Sequence, residues 1–220
     1  MKISEIFYSL QGEGTLVGVP SAFIRTSGCN LRCSWCDTPY TSWSPEGREM
    51  SVEEIVAQAR WFGASHAVVT GGEPMLFEET VELTRSLGMH VTVETAGTVF
   101  RAVHCDLMSI SPKLANSTPE GQFQAQHERL RYQPEVLKRL MAEYPYQLKF
   151  VVSSEADLAE ILRMMGETGA DRGRVLLMAE GTDAETIRGR AEWIAQICKR
   201  EGFRYSPRLH VDLWGNRRGV

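Results

Sequence analysis

The chain has 220 residues, of which 43% are hydrophobic, so it can build one sizeable core and we expect a single domain over residues 1–220. A net charge of −4 argues against a nucleic-acid-binding surface. No apolar run of ~18 residues or apolar signal core is present, so we expect a cytoplasmic protein without a membrane partner.

Two strands are predicted before the first cysteine, over residues 2–8 and 20–26. In the polar, glycine-rich turn between them, Gln11 and Glu13 offer an amide and a carboxylate to a heterocycle, although an ordinary solvated turn also explains them. Arg25 ends the second strand, where it suits either a bidentate contact with a substrate carboxylate or a position in water.

Three cysteines then follow within one short segment, at positions Cys29, Cys33 and Cys36. Thiolates suit iron–sulfur clusters, zinc and copper(I). A structural zinc site usually has four protein ligands, and an electron-transfer cluster usually has four cysteines. Three cysteines therefore predict a 4Fe–4S cluster with one open iron. A zinc knuckle completed by a distant His or Cys is the alternative.

The segment after the cysteines contains oxygen donors and then a βα junction. Asp37 and Thr38 supply a carboxylate and a hydroxyl, which suit Mg²⁺, although Asp-Thr-Pro also forms ordinary turns. A helix is predicted from the capping box at residues 51–54 to residue 61. A strand over residues 66–70 leads into Gly71-Gly72-Glu73-Pro74 and a helix to about residue 87, so backbone N–H groups are predicted to face a ligand there.

The second half of the chain continues to alternate strands and helices. The strands are predicted over residues 89–94, 106–111, 147–152 and 174–178, and the helices over residues 133–143, 154–167 and 182–201. Residues 114–133 are predicted to be a loop with little regular structure. Cys105 and Cys198 are predicted to be small buried hydrophobic residues.

This alternation predicts an α/β fold with a parallel sheet covered by helices. There are too few units for a closed eight-fold barrel, so we expect a partial, incomplete TIM-like barrel. Polar residues after the strands, at 94–98 and 111–113, stand where such sheets bind ligands. The tail over residues 207–220 has a functional composition, although a frayed and solvated end is the ordinary expectation.

Taken together and in order, the motifs resemble the 7-carboxy-7-deazaguanine synthase family of the radical S-adenosylmethionine (SAM) superfamily. The matching segments are residues 10–14, 28–38, 71–74, 94–98, 111–113 and 214–216. The resemblance implies a radical SAM core and a lyase that converts 6-carboxy-5,6,7,8-tetrahydropterin to 7-carboxy-7-deazaguanine with loss of ammonia, in queuosine and 7-deazapurine biosynthesis. It also implies a 4Fe–4S cluster, SAM and Mg²⁺ as cofactors, a flavodoxin-like external electron donor and a homodimer.

The resemblance also implies roles for single residues, with no catalytic side chain beyond the cluster and SAM. The cluster would be held by Cys29, Cys33 and Cys36, and Mg²⁺ by Thr38. The substrate would be bound by Leu10, Gln11, Gly12, Glu13, Arg25, Thr95, His210 and the terminal carboxylate of Val220. SAM would be bound by Trp35, Asp37, Gly72, Glu73, Gly97, Ser111, Pro112 and Lys113.

Two departures from the family and two alternatives accompany this interpretation. Many relatives space their first two cysteines far apart, and many have Gln-Pro where this chain reads Met178-Ala179-Glu180. We therefore expect no side-chain contact to SAM there and leave a backbone contact open. An activase that installs a glycyl radical on a partner protein shares the Cys-Asn-Leu-Arg-Cys-x-x-Cys segment but needs an open face for that partner. A non-catalytic zinc-binding interaction module is the alternative from another class.

Overall fold

The computed structural model describes all residues, 1–220, and contains nine strands and eight helices. The strands are β1 (Lys2–Leu10), β2 (Pro20–Thr26), β3 (Arg48–Glu49), β4 (His66–Gly71), β5 (His90–Thr95), β6 (Leu107–Ile110), β7 (Tyr146–Val152), β8 (Val175–Ala179) and β9 (Arg204–Ser206). The helices are α1 (Pro39–Ser42), α2 (Val52–Trp61), α3 (Thr80–Ser86), α4 (Gln124–Leu130), α5 (Pro134–Glu143), α6 (Asp157–Thr168), α7 (Ala184–Glu201) and α8 (Leu209–Trp214).

All nine strands form one open sheet in the order β3-β1-β2-β4-β5-β6-β7-β8-β9. The pairs of β1 with β2 and with β3 are antiparallel, and every pair from β2 to β9 is parallel. The parallel strands are joined by crossovers that contain helices, except that β5 and β6 are joined by a segment without a helix. Because the sheet does not close, the expected incomplete barrel with outer helices is confirmed.

The two faces of the sheet differ because side chains alternate along each strand. On β7, Leu148 and Phe150 lie in the 37-residue hydrophobic core between the sheet and the helices. Lys149 and Val151, the residues that alternate with them, line a cavity on the opposite face. The apolar outer face therefore fixes the sheet against the helices and directs the polar residues inward.

Three local predictions were wrong. Residues 114–133, predicted to be a loop, contain two 3₁₀ turns and α4. The helix predicted directly after Pro74 is interrupted, because a 3₁₀ turn at Pro74–Leu76 precedes α3. The N-cap of α7 is Asp183, whose side chain accepts from the Thr186 N–H at 2.8 Å, so the cap lies one residue later than predicted.

The helices are too short or too polar to span a membrane. Of the two cysteines predicted to be buried, Cys198 is in the core and Cys105 packs against its edge with partial exposure. Both lie away from the cavity-lining set, which contains only the other three cysteines.

Candidate active site

A cavity of about 450 Å³ opens on the inner face of the sheet and has the size of a small-molecule site. Its walls come from the carboxyl ends of parallel strands, from the segment that carries the cysteines and from the C-terminal tail. Open α/β sheets bind ligands at this position. Seventeen of the residues predicted above line it: Leu10, Gln11, Gly12, Glu13, Arg25, Cys29, Cys33, Trp35, Cys36, Asp37, Thr38, Gly72, Thr95, Ser111, Lys113, His210 and Val220.

The three thiols occupy one end of this cavity. Burial raises the pKa of Cys29 to about 11 and that of Cys33 to about 12. The Leu31 N–H donates to the Cys29 sulfur at 3.4 Å, and the Ser42 hydroxyl lies 3.2 Å from the Cys36 sulfur. Metal binding must displace the protons of these thiols, and the nearby N–H and O–H groups are of the kind that tune cluster potentials.

The donor set fits a 4Fe–4S cluster held by three thiolates. No three His, Cys, Asp or Glu side chains are arranged to hold a single metal ion. A cubane does not need that arrangement, because each thiolate binds a different iron and the sulfurs surround the cube. The three thiols that line the cavity provide such a set and would leave one iron without a protein ligand.

The glycines of the Gly71-Gly72 junction support the base of the cysteine segment. A Cβ at Gly72 would overlap the Gly28 carbonyl, so only glycine permits this approach. The Gly72 N–H donates to the Thr26 carbonyl at 3.1 Å, and the Glu73 N–H donates to the Gly28 carbonyl at 2.8 Å. The expectation that these N–H groups face a ligand was wrong, because both are used to hold the cysteine segment.

Three residues predicted to bind SAM do not line the cavity: Glu73, Gly97 and Pro112. The Glu73 carboxylate is fully buried and accepts hydrogen bonds from the Met75 N–H, the Thr95 hydroxyl and the Ala96 N–H. Burial raises the pKa of Glu73 despite these bonds. A Cβ at Gly97 would overlap Leu137 of α5. Glu73 and Gly97 therefore support the fold around the cavity through buried hydrogen bonds and close packing.

Asp37 and Thr38 point to different partners. The Asp37 carboxylate pairs with the Arg208 guanidinium. The Thr38 hydroxyl lies 3.9 Å from the Cys36 sulfur and 3.5 Å from the Thr41 hydroxyl. The two oxygens are therefore not a joint donor pair, and of the two side chains only Asp37 is engaged in an ion pair.

The wall beside the cysteines is held by a chain of hydrogen bonds around Trp35. The Trp35 indole N–H donates to the Asn116 carbonyl at 3.0 Å, and the Asn116 side chain donates to Asp157 of α6 at 2.9 Å. Lys113 donates to the Ser111 carbonyl at 2.8 Å and lies 5.9 Å from the centre of the Trp35 ring. An aromatic face beside a hydroxyl and an ammonium suits a nucleoside with a charged tail.

A chain of alternating charges links the other end of the cavity to the cysteine segment, because its last member, Asp37, directly follows Cys36. The Glu13 carboxylate pairs with the Lys149 ammonium, and its second oxygen lies 3.2 Å from Nε of Arg208, which also pairs with Asp37. Burial alone would raise the pKa of Glu13, but the charges of Lys149 and Arg208 outweigh it and hold that pKa well below its usual range. Glu13 is therefore a carboxylate that accepts hydrogen bonds.

Gln11 and Gly12 fix the turn that carries Glu13. The Gln11 side chain accepts from the Glu13 N–H and donates to the Glu94 carboxylate, each at 3.1 Å. The Gly12 carbonyl accepts from the Leu209 N–H at 2.9 Å, and a Cβ at Gly12 would overlap the His210 ring. Glycine at position 12 therefore lets α8 approach the turn closely.

Arg25 lies near the aromatic side of the cavity. Its Nε donates to Glu5 at 2.7 Å, and the guanidinium lies 5.6 Å from the centre of the Phe7 ring. The Tyr40 hydroxyl also donates to Glu5, at 2.9 Å, and Arg218 of the tail stacks 3.7 Å from the Tyr40 ring centre. Only one of the guanidinium nitrogens of Arg25 is used within the protein, so the rest of the group can receive a carboxylate.

The sequence interpretation missed two residues of the charge chain, Lys149 and Arg208. Both line the cavity and both are about 5% exposed. The one available signal was a lysine inside the apolar strand pattern of β7, since a lysine is rarely buried unless it is paired. Arg208 stands outside any pattern. Met178, in the segment that departs from the family, also lines the cavity.

The radical SAM superfamily model matches residues 23–144 of the chain. A curated protein of Halobacterium salinarum named 7-carboxy-7-deazaguanine synthase is 44% identical over 98% of this chain and 91% of its own length. One of the same name from Rhodopirellula baltica is 42% identical over 99% of this chain and 88% of its own. The crystal structure of QueE from Escherichia coli superposes with a TM-score of 0.69 at 26% identity, covering 93% of this chain and 92% of that one.

Proposed function

Because this chain belongs to the 7-carboxy-7-deazaguanine synthase family of the radical SAM superfamily, we propose that it converts 6-carboxy-5,6,7,8-tetrahydropterin to 7-carboxy-7-deazaguanine in queuosine and 7-deazapurine biosynthesis. Loss of ammonia alone relates substrate and product, so the reaction needs no net oxidant. The proposal is carried by one observation: a single cavity holds three thiols at one end and a buried carboxylate–ammonium pair at the other.

The cysteine end receives the cofactors. Cys29, Cys33 and Cys36 would hold a 4Fe–4S cluster, and the wall formed by Trp35 and Lys113 would receive SAM. A cluster held by these cysteines would supply the electron for the reductive cleavage of SAM and thereby the radical chemistry. The contribution of the protein would be placement, with the cysteines, Trp35 and Lys113 all lining the same cavity.

The charged end receives the pterin. Glu13, kept ionised by its two cationic neighbours, accepts N–H groups from the pyrimidine ring, and Gln11 fixes the turn that carries it. Arg25 has guanidinium donors left over for the substrate carboxylate. Thr38 lines the cavity with its hydroxyl 3.9 Å from the Cys36 sulfur, and we propose that this hydroxyl binds a Mg²⁺ ion that orients the substrate.

The tail excludes water from this chemistry. Residues 216–220 line the cavity, and Arg218 is held there by stacking on Tyr40 and by an ion pair with Glu46. A carbon radical is quenched by solvent and by stray hydrogen donors, so a covering segment protects it. We propose that His210 and the Val220 carboxylate contact the substrate from this side.

Reconstitution with iron and sulfide under anaerobic conditions tests the function. The protein is then incubated with 6-carboxytetrahydropterin, SAM, Mg²⁺ and a chemical reductant, and the products are analysed by mass spectrometry. We expect a product lighter than the substrate by one ammonia. Cleavage of SAM with the pterin intact would instead favour an activase that needs a partner protein, and a colourless protein with stoichiometric zinc would favour the interaction module.

We also propose a reducing, cytoplasmic location, a flavodoxin-like electron donor and a homodimer. All five cysteines are free. In an oxidising compartment Cys29, Cys33 and Cys36 would lose their ability to hold a cluster. Trp61 is 81% exposed and Tyr8 48% exposed, which is apolar surface of the kind that subunit interfaces cover. Light scattering of the purified protein would measure the subunit number directly.

A further inference from the structure

The Lys149 ammonium is buried with most of its hydrogen-bonding capacity unused. The residue is 5% exposed and makes one hydrogen bond, to Glu13, although an ammonium has three donors. Burial of a cation with unmet donors is costly. Because Lys149 lines the cavity, its unused donors are available to a ligand there.

Glu13, its partner, also keeps unused capacity. Its second oxygen lies 3.2 Å from Nε of Arg208, yet that nitrogen makes no hydrogen bond of acceptable geometry. A carboxylate has about four acceptor sites. Lys149 and Glu13 therefore present a donor and an acceptor side by side in the cavity.

This inference rests on the proposed function: we propose that Lys149 is a substrate-binding residue that donates to the 4-oxo oxygen of the pterin while Glu13 accepts from its N3–H and 2-amino groups. In a 2-amino-4-oxopyrimidine ring, one acceptor and two donors are adjacent along a single edge. The pair matches that edge group for group. Lys149 would thereby select the 4-oxo ring over a 4-amino ring, whose amino group would oppose the ammonium donor with another donor.

The substrate carboxylate is a poorer partner for Lys149 than the neutral 4-oxo group. Two carboxylates, Glu13 and Glu94, already act on the Lys149 charge, and both raise its pKa against the opposing effect of burial. A third carboxylate at this place would be repelled by both. Arg25, in contrast, has an extended guanidinium with donors left over, so it suits the substrate carboxylate.

The test is a comparison of two ligands on the reconstituted full chain with SAM and Mg²⁺ present and no reductant, so that no turnover occurs. Isothermal titration calorimetry measures the affinity for 6-carboxypterin and for 2,4-diaminopteridine-6-carboxylate, which differ at position 4 and at N3, because the neutral diamino ring carries no proton on N3. We expect the wild type to prefer 6-carboxypterin by about a hundredfold, because a site built to pair with a polar group rejects an analogue lacking it.

Lys149→Met is expected to weaken 6-carboxypterin binding by about tenfold to a hundredfold and to leave the diamino ligand unchanged, so that the preference shrinks by the same factor. Any preference that remains comes from Glu13, which accepts from the N3–H that only 6-carboxypterin carries. Arg25→Met is the matched control: it should weaken both ligands alike, because both carry the carboxylate. Circular dichroism checks the fold of each variant. Lys149→Gln, which keeps a neutral donor, should show an intermediate preference and serves if the Met variant does not fold.

An unchanged preference in a folded Lys149→Met or Lys149→Gln variant would reduce Lys149 to a counter-ion of Glu13 and overturn the inference. Equal affinity of the wild type for the two ligands would overturn it without any variant. In both cases the proposed function stands if the wild type still makes the product that is lighter than the substrate by one ammonia. A wild type that binds neither pteridine and makes no product would overturn the function as well.

Discussion

The two ends of the cavity are assembled in different ways. At one end, Cys29, Cys33 and Cys36 come from a segment of eight residues, and one glycine-rich junction supports its base. At the other, Glu13 meets Lys149 across 136 positions of sequence, and Arg208 meets Asp37 across 171. The first end is local, and the second exists only once β1, β7 and α8 have come together.

The difference predicts how each end responds to substitution. A thiol removed from the local segment takes away the cofactor but breaks few contacts between elements. A charge removed from the long-range chain leaves buried partners uncompensated, so that stability and activity fall together. The predictions below, ordered from the largest effect to the smallest, separate these two kinds of response.

Replacing a cluster ligand should have the largest effect. Cys33→Ala should abolish the iron–sulfur absorbance and SAM cleavage after reconstitution, because only two of the three cysteine ligands of the cluster remain. Cys198→Ala, which changes a cysteine of the outer core, is the control and should keep the cluster. A Cys33→Ala protein that retains a full cluster would show that this end is not held by the three cysteines.

Arg208→Met should damage stability and turnover together. Its side chain is 6% exposed and pairs with Glu13, which is 15% exposed, and with Asp37, which is 42% exposed, so its loss should lower the free energy of unfolding by about 3 kcal/mol. Urea unfolding measures this. Arg218→Met, at a half-exposed ion pair, should cost no more than about 1 kcal/mol. Equal losses in the two variants would contradict the coupling of the charge chain to the fold.

Removal of residues 217–220 should cost turnover more than folding. The segment lines the cavity but adds nothing to the hydrophobic core, so kcat/KM should fall by roughly a hundredfold while the urea midpoint stays close to that of the wild type. Steady-state kinetics and urea unfolding of the same preparation give both numbers. Full activity after the deletion would make the tail a bystander.

In Thr38→Ala, the factor by which Mg²⁺ increases turnover should fall by at least about tenfold, while the cluster remains bound. The hydroxyl is the only hard donor on the side chain, and Thr38→Ser keeps it and should behave like the wild type. A Mg²⁺ titration of both variants supplies the comparison. An unchanged titration in Thr38→Ala would remove this residue from the metal site.

The smallest effect is expected at the amino ends of the strands, far from the cavity. His66 is 2% exposed between the hydroxyls of Ser21 and Thr92, and burial lowers its pKa to about 4. Between pH 6.5 and 4 the unfolded state binds a proton that the folded state does not, so stability falls as pH falls, by about 1 kcal/mol near pH 5.5.

His66→Gln removes this titration. Its free energy of unfolding should therefore vary less than that of the wild type between pH 7 and 5.5, with the two proteins following parallel curves above pH 7. Urea unfolding across this range measures the difference. Identical pH dependence in the two proteins would show that His66 is not held neutral.

Much of the fold was predictable because the outer face of the sheet is uniformly apolar. The prediction for β2 matches the structure residue for residue, and α2 begins at its predicted capping box. The errors fall where tertiary contacts outweigh local preference. In α4, His127 is buried, and its Nε2 lies 2.9 Å from the Ser117 hydroxyl. The sequence of α4 has no apolar stripe from which a helix could be predicted.

In the active site, the motif to which a residue belongs did not determine which way its side chain faces. Glu73 stands in a motif that predicted a nucleotide contact, yet its carboxylate is turned into the protein and binds the Thr95 hydroxyl and the Ala96 N–H. Sequence spacing places a residue on an element. It does not say which of two neighbouring surfaces, cavity or interior, the side chain reaches.

By itself the sequence determined the thiol segment, the succession of strands and helices and the family to which the chain belongs, because each depends on residues close together in order. Only the tertiary structure decided that Glu13, Lys149, Arg208 and Asp37 form one chain of charges, since side chains so distant in sequence meet solely through the register of the sheet and the return of α8. The free energy of such buried pairs depends on geometry that no local pattern records.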